Sequence, residues 1–199
     1  CKYIIIDEYQ DISAARFELV KAIRDQNNAK LFCVGDDWQS IFRFAGSDIK
    51  YFTDFHRQWG ASAHTEKLLI ENTHRNSQEL LDIAGSFIES NPNQLRKKLR
   101  SEKHDEMAVM LLMHGDGEEG LSYSEQFYNA IRTIHNFDNS SEVMLLGRTK
   151  YDWKLIADNN ELCVKFKKGQ GENAKGSSLY IPEFPNLRVS FLTMHKAKG

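Results

Sequence analysis

Short apolar runs alternate along this chain with segments of helical period. That alternation confines it to the α/β class, in which helices cover a mostly parallel sheet. The strand candidates are residues 3–6, 31–34, 67–70, 108–113, 143–146, 163–166 and 189–194. Helix candidates fall between them. In residues 13–25, Phe17, Val20 and Ile23 recur at near-helical spacing behind Ser13, an N-cap candidate. Residues 77–90 carry the stripe Leu80, Leu81, Ala84, Phe87 and Ile88, and residues 122–137 carry Phe127, Ile131 and Ile134. These stripes read as core faces. Residues 59–64, Trp-Gly-Ala-Ser-Ala-His, are small and polar between two periodic segments and mark a candidate domain boundary; residues 169–178 hold three glycines and read as a loop.

With 199 residues, one large or two small domains are possible. The balance of 26 Lys+Arg against 28 Asp+Glu gives no global positive field, so any nucleic-acid contact has to be local. Three widely spaced cysteines, Cys1, Cys33 and Cys163, argue against a disulfide framework and against zinc, and the seven histidines show no metal-ligand spacing. No apolar run approaches the roughly 20 residues that span a bilayer. A soluble, cytoplasmic protein without a membrane partner is expected. Both ends, Cys1-Lys2-Tyr3-Ile4 within a strand pattern and Lys196-Ala197-Lys198-Gly199 within a basic segment, read as cuts in a longer chain.

The run Ile4-Ile5-Ile6-Asp7-Glu8-Tyr9-Gln10-Asp11 is an apolar strand ending in a polar cluster. Ligand sites of open α/β sheets lie beyond the carboxyl ends of strands. Nucleotide hydrolysis needs two carboxylates there, one for Mg²⁺ and one for the attacking water; Asp7 suits the first role and Glu8 the second. An acidic cluster can equally be a helix N-terminal charge arrangement. A second strand, Leu31-Phe32-Cys33-Val34, opens onto Gly35-Asp36-Asp37-Trp38-Gln39-Ser40-Ile41-Phe42-Arg43-Phe44. Gln39 can sense a terminal phosphate through its amide. Trp38, Phe42 and Phe44 offer faces for base stacking or belong to the core.

Asp7-Glu8-Tyr9-Gln10-Asp11, then Val34-Gly35-Asp36-Asp37-Trp38-Gln39-Ser40-Ile41-Phe42, then Thr193-Met194-His195-Lys196-Ala197-Lys198-Gly199 together resemble helicase motifs II, III and V of the UvrD/Rep family of superfamily 1, in that order. The resemblance implies a RecA-like P-loop NTPase fold in two lobes, residues 1–62 supplying the end of the first and 63–199 most of the second. It also implies ATP and Mg²⁺ as cofactors and 3′ to 5′ movement on single-stranded DNA or at a single/double-strand junction. Asp7 would then ligate Mg²⁺, Glu8 would be the catalytic base, and Gln39 would contact the γ-phosphate. Gln10 and Asp11 would couple that site to DNA. Phe44 would stack on bases, and Thr193 and His195 would lie near the DNA backbone. Asn72-Thr73-His74-Arg75 is similar to motif IV, which places Arg75 as an arginine reaching the γ-phosphate and His74 where a tyrosine usually packs on adenine. Arg148 follows a strand as an arginine does in a further family motif.

The sequence departs from the family pattern at His74, whose ring is smaller than tyrosine, and at Ala45, where many members carry arginine. Residues 96–100, and Lys165, Lys167 and Lys168, are basic and read as solvated ends or as phosphate contacts. No Gly-x-x-x-x-Gly-Lys-Ser/Thr loop occurs in these residues, so a preceding Walker segment of the same chain is the expected partner and the piece alone is expected to be inactive. The rival readings are a translocase or nuclease-linked ATPase on the same motor, and an ATPase-dead nucleic-acid-binding module of the same fold.

Overall fold

The computed structural model describes residues 1–60, 64–112, 122–157, 165–167 and 177–198. The chain divides into two compact units, Cys1–Met110 and Leu111–Gly199.

In the first unit, strand β1 (Tyr3–Ile6) and strand β2 (Lys30–Cys33) pair in parallel, joined by helix α1 (Ala14–Asn27). Ser13 caps α1 as its type favours, its side chain accepting the Arg16 N–H, and Asn28 ends the helix in the left-handed conformation. Strand alternation turns Ile6, Leu31 and Cys33 toward a core of Tyr9, Ile12, Phe17, Tyr51 and Trp59. Phe17 stacks on Tyr51 at 4.3 Å between ring centroids and packs on Trp59 at 4.7 Å. Burial pushes the Cys33 thiol up to about 12. The apolar run Ile4-Ile5-Ile6 suggests burial on both faces, but Tyr3, Ile5 and Phe32 on the other face are exposed.

Two short helices, α2 (Lys50–Thr53) and α3 (Phe55–Trp59), close this core. The segment read as a boundary therefore begins inside it: Trp59 is buried, its Nε1–H donates to Tyr9 Oη at 3.0 Å, and Arg24 donates to its carbonyl. Helix α4 (Gln78–Glu89), capped by Ser77, follows in the same unit. Within this first unit the segment after α4 packs back on residues 36–39.

Two expected strands do not form. Residues 67–70 have no ladder partner, and Leu68, Leu69 and Ile70 are exposed. Residues 108–112 are likewise outside any strand, and Met113 lies outside the described residues. Apolar content alone does not make a strand: a backbone ladder needs a neighbouring edge. Among the described residues, a parallel bridge pairs Asn72 with Arg100 nearby.

In the second unit, helix α5 (Tyr123–Phe137) begins with a full capping box between Ser122 and Glu125. Strands β3 (Glu142–Gly147), β4 (Lys165–Lys167), β5 (Ser177–Tyr180) and β6 (Arg188–Thr193) form one sheet in the order β3-β6-β5-β4. Among the described residues, β3 and β6 pair in parallel and the other pairs are antiparallel, which makes this sheet mixed. Its core joins Ile131 of α5 to Leu179, Ile181, Phe184, Leu187, Val189 and Phe191. Strand β5 takes up the end of the segment read as a loop, and residues 169–176 lie outside the described residues, as does Cys163 of the strand expected over 163–166. Short helices α6 (Lys154–Ala157) and α7 (Met194–Ala197) complete the unit. Among the described residues, no helix is long and apolar enough to cross a membrane.

Candidate functional site

The β1–β2 pair ends with polar side chains at its carboxyl edge. The ladder continues one step past the strands, Val34 N–H donating to Ile6 carbonyl at 2.9 Å and Tyr9 N–H to Val34 carbonyl at 2.8 Å. Asp7 and Glu8 leave the sheet at this edge, both exposed. Glu8 adopts the left-handed conformation (φ 51°, ψ 40°), uncommon for a residue with a Cβ. Its N–H donates to Asp7 Oδ1 at 2.8 Å, so the Asp7 carboxyl is held against the backbone of this sharp turn. A cleft of about 610 Å³ opens here, lined by Asp7, Glu8, Asp11, Arg16, Phe42 and Ser47 among others.

Gln10 is fully buried and joins the two strand ends. Its Nε2–H donates to Glu8 Oε2 at 2.5 Å, and its Oε1 accepts Asp36 N–H at 2.9 Å. A Cβ on Gly35 would lie 2.6 Å from Gln10 Oε1 and 2.8 Å from the Phe52 ring, so any side chain there would crowd both. Gln10, expected to couple this site to DNA, bonds the protein at both ends of its amide and links Glu8 to residue 36.

Beyond Gly35, Asp36 caps the turn Asp37–Gln39 by accepting Trp38 N–H at 3.1 Å, and its Oδ2 accepts Gln39 Nε2–H at 2.8 Å. Glu8, Gln10, Asp36 and Gln39 therefore form one hydrogen-bonded chain across the edge. Gln39 itself is exposed. Asp37 is buried; its Oδ2 accepts Leu95 N–H at 2.8 Å and its Oδ1 lies 2.5 Å from Lys97 Nζ. Lys97 also bonds Asp36 Oδ1. Burial pushes the Asp36 carboxyl up, but hydrogen bonds from Lys97 and Gln39, with the Lys97 charge, outweigh it and leave it below the usual value.

The three candidate stacking aromatics separate. Trp38 is half-buried: its Nε1–H donates to the Leu95 carbonyl at 2.9 Å, its ring lies against Gly85 of α4, and Lys97 sits over its face. Phe42 is partly buried beside Phe44 at 6.0 Å between ring centroids, and Phe44 is 73% exposed. Lys97, Leu95 and Gly85 escaped the sequence reading of this site. Lys97 appeared only within a basic run, and no local pattern pairs it with acids 60 positions earlier.

His74 and Arg75 are exposed in the turn before α4, where Arg75 N–H donates to Thr73 Oγ1 at 3.3 Å. Among the described residues, no hydrogen bond or ion pair joins either of them to Asp7, Glu8 or Gln39.

The second unit has an edge of the same kind. Gly147 and Thr193, the last residues of β3 and β6, pair across the parallel ladder, which places Arg148 beside the segment of Thr193 and His195. Asp152 Oδ2 accepts the backbone N–H groups of Arg148 and Thr149 at 2.7 and 3.0 Å, shaping that turn. A Cβ on Gly147 would lie 2.7 Å from the Phe191 ring. Thr193 precedes α7, whose first turn carries His195; both are partly buried.

The sequence model of the UvrD/REP helicase N-terminal domain matches residues 1–60. DNA helicase IV of Escherichia coli (strain K12) is 42% identical over 199 residues, 100% of this chain and 25% of that protein. ATP-dependent DNA helicase PcrA of Bacillus subtilis (strain 168) is 31% identical over 160 residues, 79% of this chain and 21% of that protein. ATP-dependent DNA helicase Rep of Buchnera aphidicola subsp. Baizongia pistaciae (strain Bp) is 29% identical over 193 residues, 97% of this chain and 28% of that protein. The chain spans about a quarter of the length of these relatives.

Proposed function

Because the chain belongs to the UvrD/Rep helicase family, we propose that it is part of an ATP-dependent DNA helicase that moves 3′ to 5′ on single-stranded DNA. In this reading residues 1–62 contribute to one RecA-like lobe and 63–199 to the second. The observation that carries it is the hydrogen-bonded chain from Glu8 through Gln10 and Asp36 to Gln39, which ties a carboxylate suited to activating water to an amide suited to sensing phosphate.

Glu8 is the base. Its Oε2 is occupied by the Gln10 amide, which aims the carboxylate and leaves Oε1 to take the proton of the attacking water. Gln39 has one N–H committed to Asp36 and a second to offer a terminal phosphate oxygen. Arg75 brings a guanidinium to the developing charge, and His74 faces the base. Mg²⁺ fits the donors present. The Asp7 carboxylate is a hard oxygen ligand on an exposed turn, the donor type through which Mg²⁺ is held together with water and phosphate oxygens. Bound there, Mg²⁺ would neutralise phosphate charge. On the DNA side, Phe44 stacks on bases, and Thr193 and His195 bond phosphate oxygens.

These 199 residues contain no phosphate-gripping Walker loop, so alone they should release no phosphate from ATP. The test of the reading is Glu8→Gln in the complete protein. It should keep ATP and DNA binding while kcat falls by roughly 10²–10⁴, the usual worth of a general base. Turnover near wild type would overturn it. If neither wild type nor Glu8→Gln hydrolyses ATP but both bind DNA, the ATPase-dead module stands instead.

A further inference from the structure

We propose that Lys97 is a positioning residue for Gln39, acting through the Asp36 carboxylate, and that it sets how that glutamine meets a nucleotide phosphate. The inference rests on the reading of Gln39 as the phosphate-sensing amide.

Gln39 is exposed, and its side chain is anchored by the bond from its Nε2 to Asp36 Oδ2 at 2.8 Å. Where its second N–H points therefore depends on where Asp36 is held. Asp36 Oδ1 accepts the Trp38 N–H and pairs with Lys97 Nζ. Lys97 is itself well placed to hold it. Its N–H donates to Glu89 Oε1 on α4 at 3.0 Å, and its ammonium is clamped by buried Asp37 at 2.5 Å while lying 5.1 Å from the centroid of the Trp38 ring. Leu95, two residues earlier, bonds both Asp37 and Trp38 through its backbone. A lysine on a solvated basic run would have none of these partners.

Charge adds to geometry. Asp36 and Asp37 put two carboxylates beside an amide that must receive a phosphate, and like charge at that distance opposes binding. One ammonium shared between them offsets part of that field.

The test uses the complete protein and its DNA-stimulated ATPase. Lys97→Met alone leaves Asp37 buried and unpaired, which threatens the fold, so the working variant is Lys97→Met with Asp37→Asn, beside Asp37→Asn alone as control. The double variant should lose roughly tenfold in kcat, the scale of one oriented hydrogen bond to a charged group, while affinity for a fluorescent ATP analogue stays within about twofold of wild type. Asp37→Asn alone should lose less than the double variant, since Lys97 still pairs with Asp36. Lys97→Arg should recover most of the rate, since the charge is restored. Adding Gln39→Ala to the double variant should cost no more than Gln39→Ala alone, the non-additivity of residues acting as one unit. If Gln39→Ala is slow but the double variant turns over normally, or if the losses multiply, the role of Lys97 is overturned and the phosphate-sensing reading survives. If Gln39→Ala turns over like wild type, both fall.

Discussion

The side-chain carbonyl of Gln10 accepts the backbone N–H of Asp36 at 2.9 Å, joining the end of one parallel strand to the end of its neighbour. The bond exists because Gly35 lets the two backbones come close: a Cβ there would meet Gln10 Oε1 at 2.6 Å and the Gln10 backbone nitrogen at 3.1 Å. Gly35→Ala should therefore destabilise the first unit by about 1–3 kcal/mol through overpacking and free Glu8 from its partner. A lowered urea midpoint is the expected result, and an unchanged midpoint would show that the edge can relax around a methyl group.

Phe44 is 73% exposed, so its removal should leave thermal stability within about 0.5 kcal/mol of wild type. In the complete protein, Phe44→Ala should weaken single-stranded DNA binding by about 1–3 kcal/mol. The salt dependence should not change, because no phosphate contact is lost. Unaltered affinity with an earlier melt would assign Phe44 to packing.

Arg75 is exposed in the turn before α4 and makes no ion pair among the described residues. An arginine held out in this way, if it stabilises the phosphoryl group in the transition state, supports kcat far more than ATP affinity. Arg75→Ala should cost roughly 10³–10⁵ in kcat, and lysine should rescue poorly because a point charge lacks the planar fork. The check is DNA-stimulated turnover beside a thermal melt; a folded mutant with normal kcat would remove Arg75 from the reaction.

Glu79 in the first turn of α4 accepts His104 Nδ1 at 2.7 Å and Asp105 N–H at 2.9 Å. The His104 bond first, and the Asp105 N–H next, hold its carboxyl down at about 2, against an ordinary value of 4.5. A depressed acid contributes stability that is complete above its unfolded value and is lost as pH falls through the folded one. Urea melts of wild type and Glu79→Gln should therefore differ just above the ordinary value of 4.5 and converge as pH falls to about 2. Parallel curves across that range would show that the contact does not persist in solution.

Much of the site was legible because its chemistry is contiguous in sequence. Ile4-Ile5-Ile6 runs directly into Asp7 and Glu8, and Leu31–Val34 into Gly35–Gln39, so the strand ends and their polar groups are read together. The parallel pairing of β3 with β6 put Arg148 beside Thr193 without any local signal, yet both had been marked at strand ends. Residues 67–70 and 108–113 misled for the opposite reason. Their apolar runs satisfy the strand pattern, but pairing is a property of two segments, and no partner edge lies beside the described part of either. Strand β5 was missed since Ser177-Ser178-Leu179-Tyr180 has little apolar run of its own and is defined by its registers with β4 and β6.

Local order in the amino acids determined which residues could do chemistry, because side-chain type and the direction of a strand end are short-range properties. The α/β class, the capping of α1, and the acidic and amide groups at the β1–β2 edge all came from neighbours within a few positions. Tertiary structure alone decided which groups are free to act. It committed the Gln10 amide to Glu8 and Asp36, turned Trp38 from a stacking candidate into a packed ring, and left Phe44 exposed. It also drew Lys97 onto two acids 60 and 61 positions away. Such partnerships depend on burial and on distances of a few ångströms between segments far apart in the chain, and the cost of leaving a buried charge unpaired is what selects them.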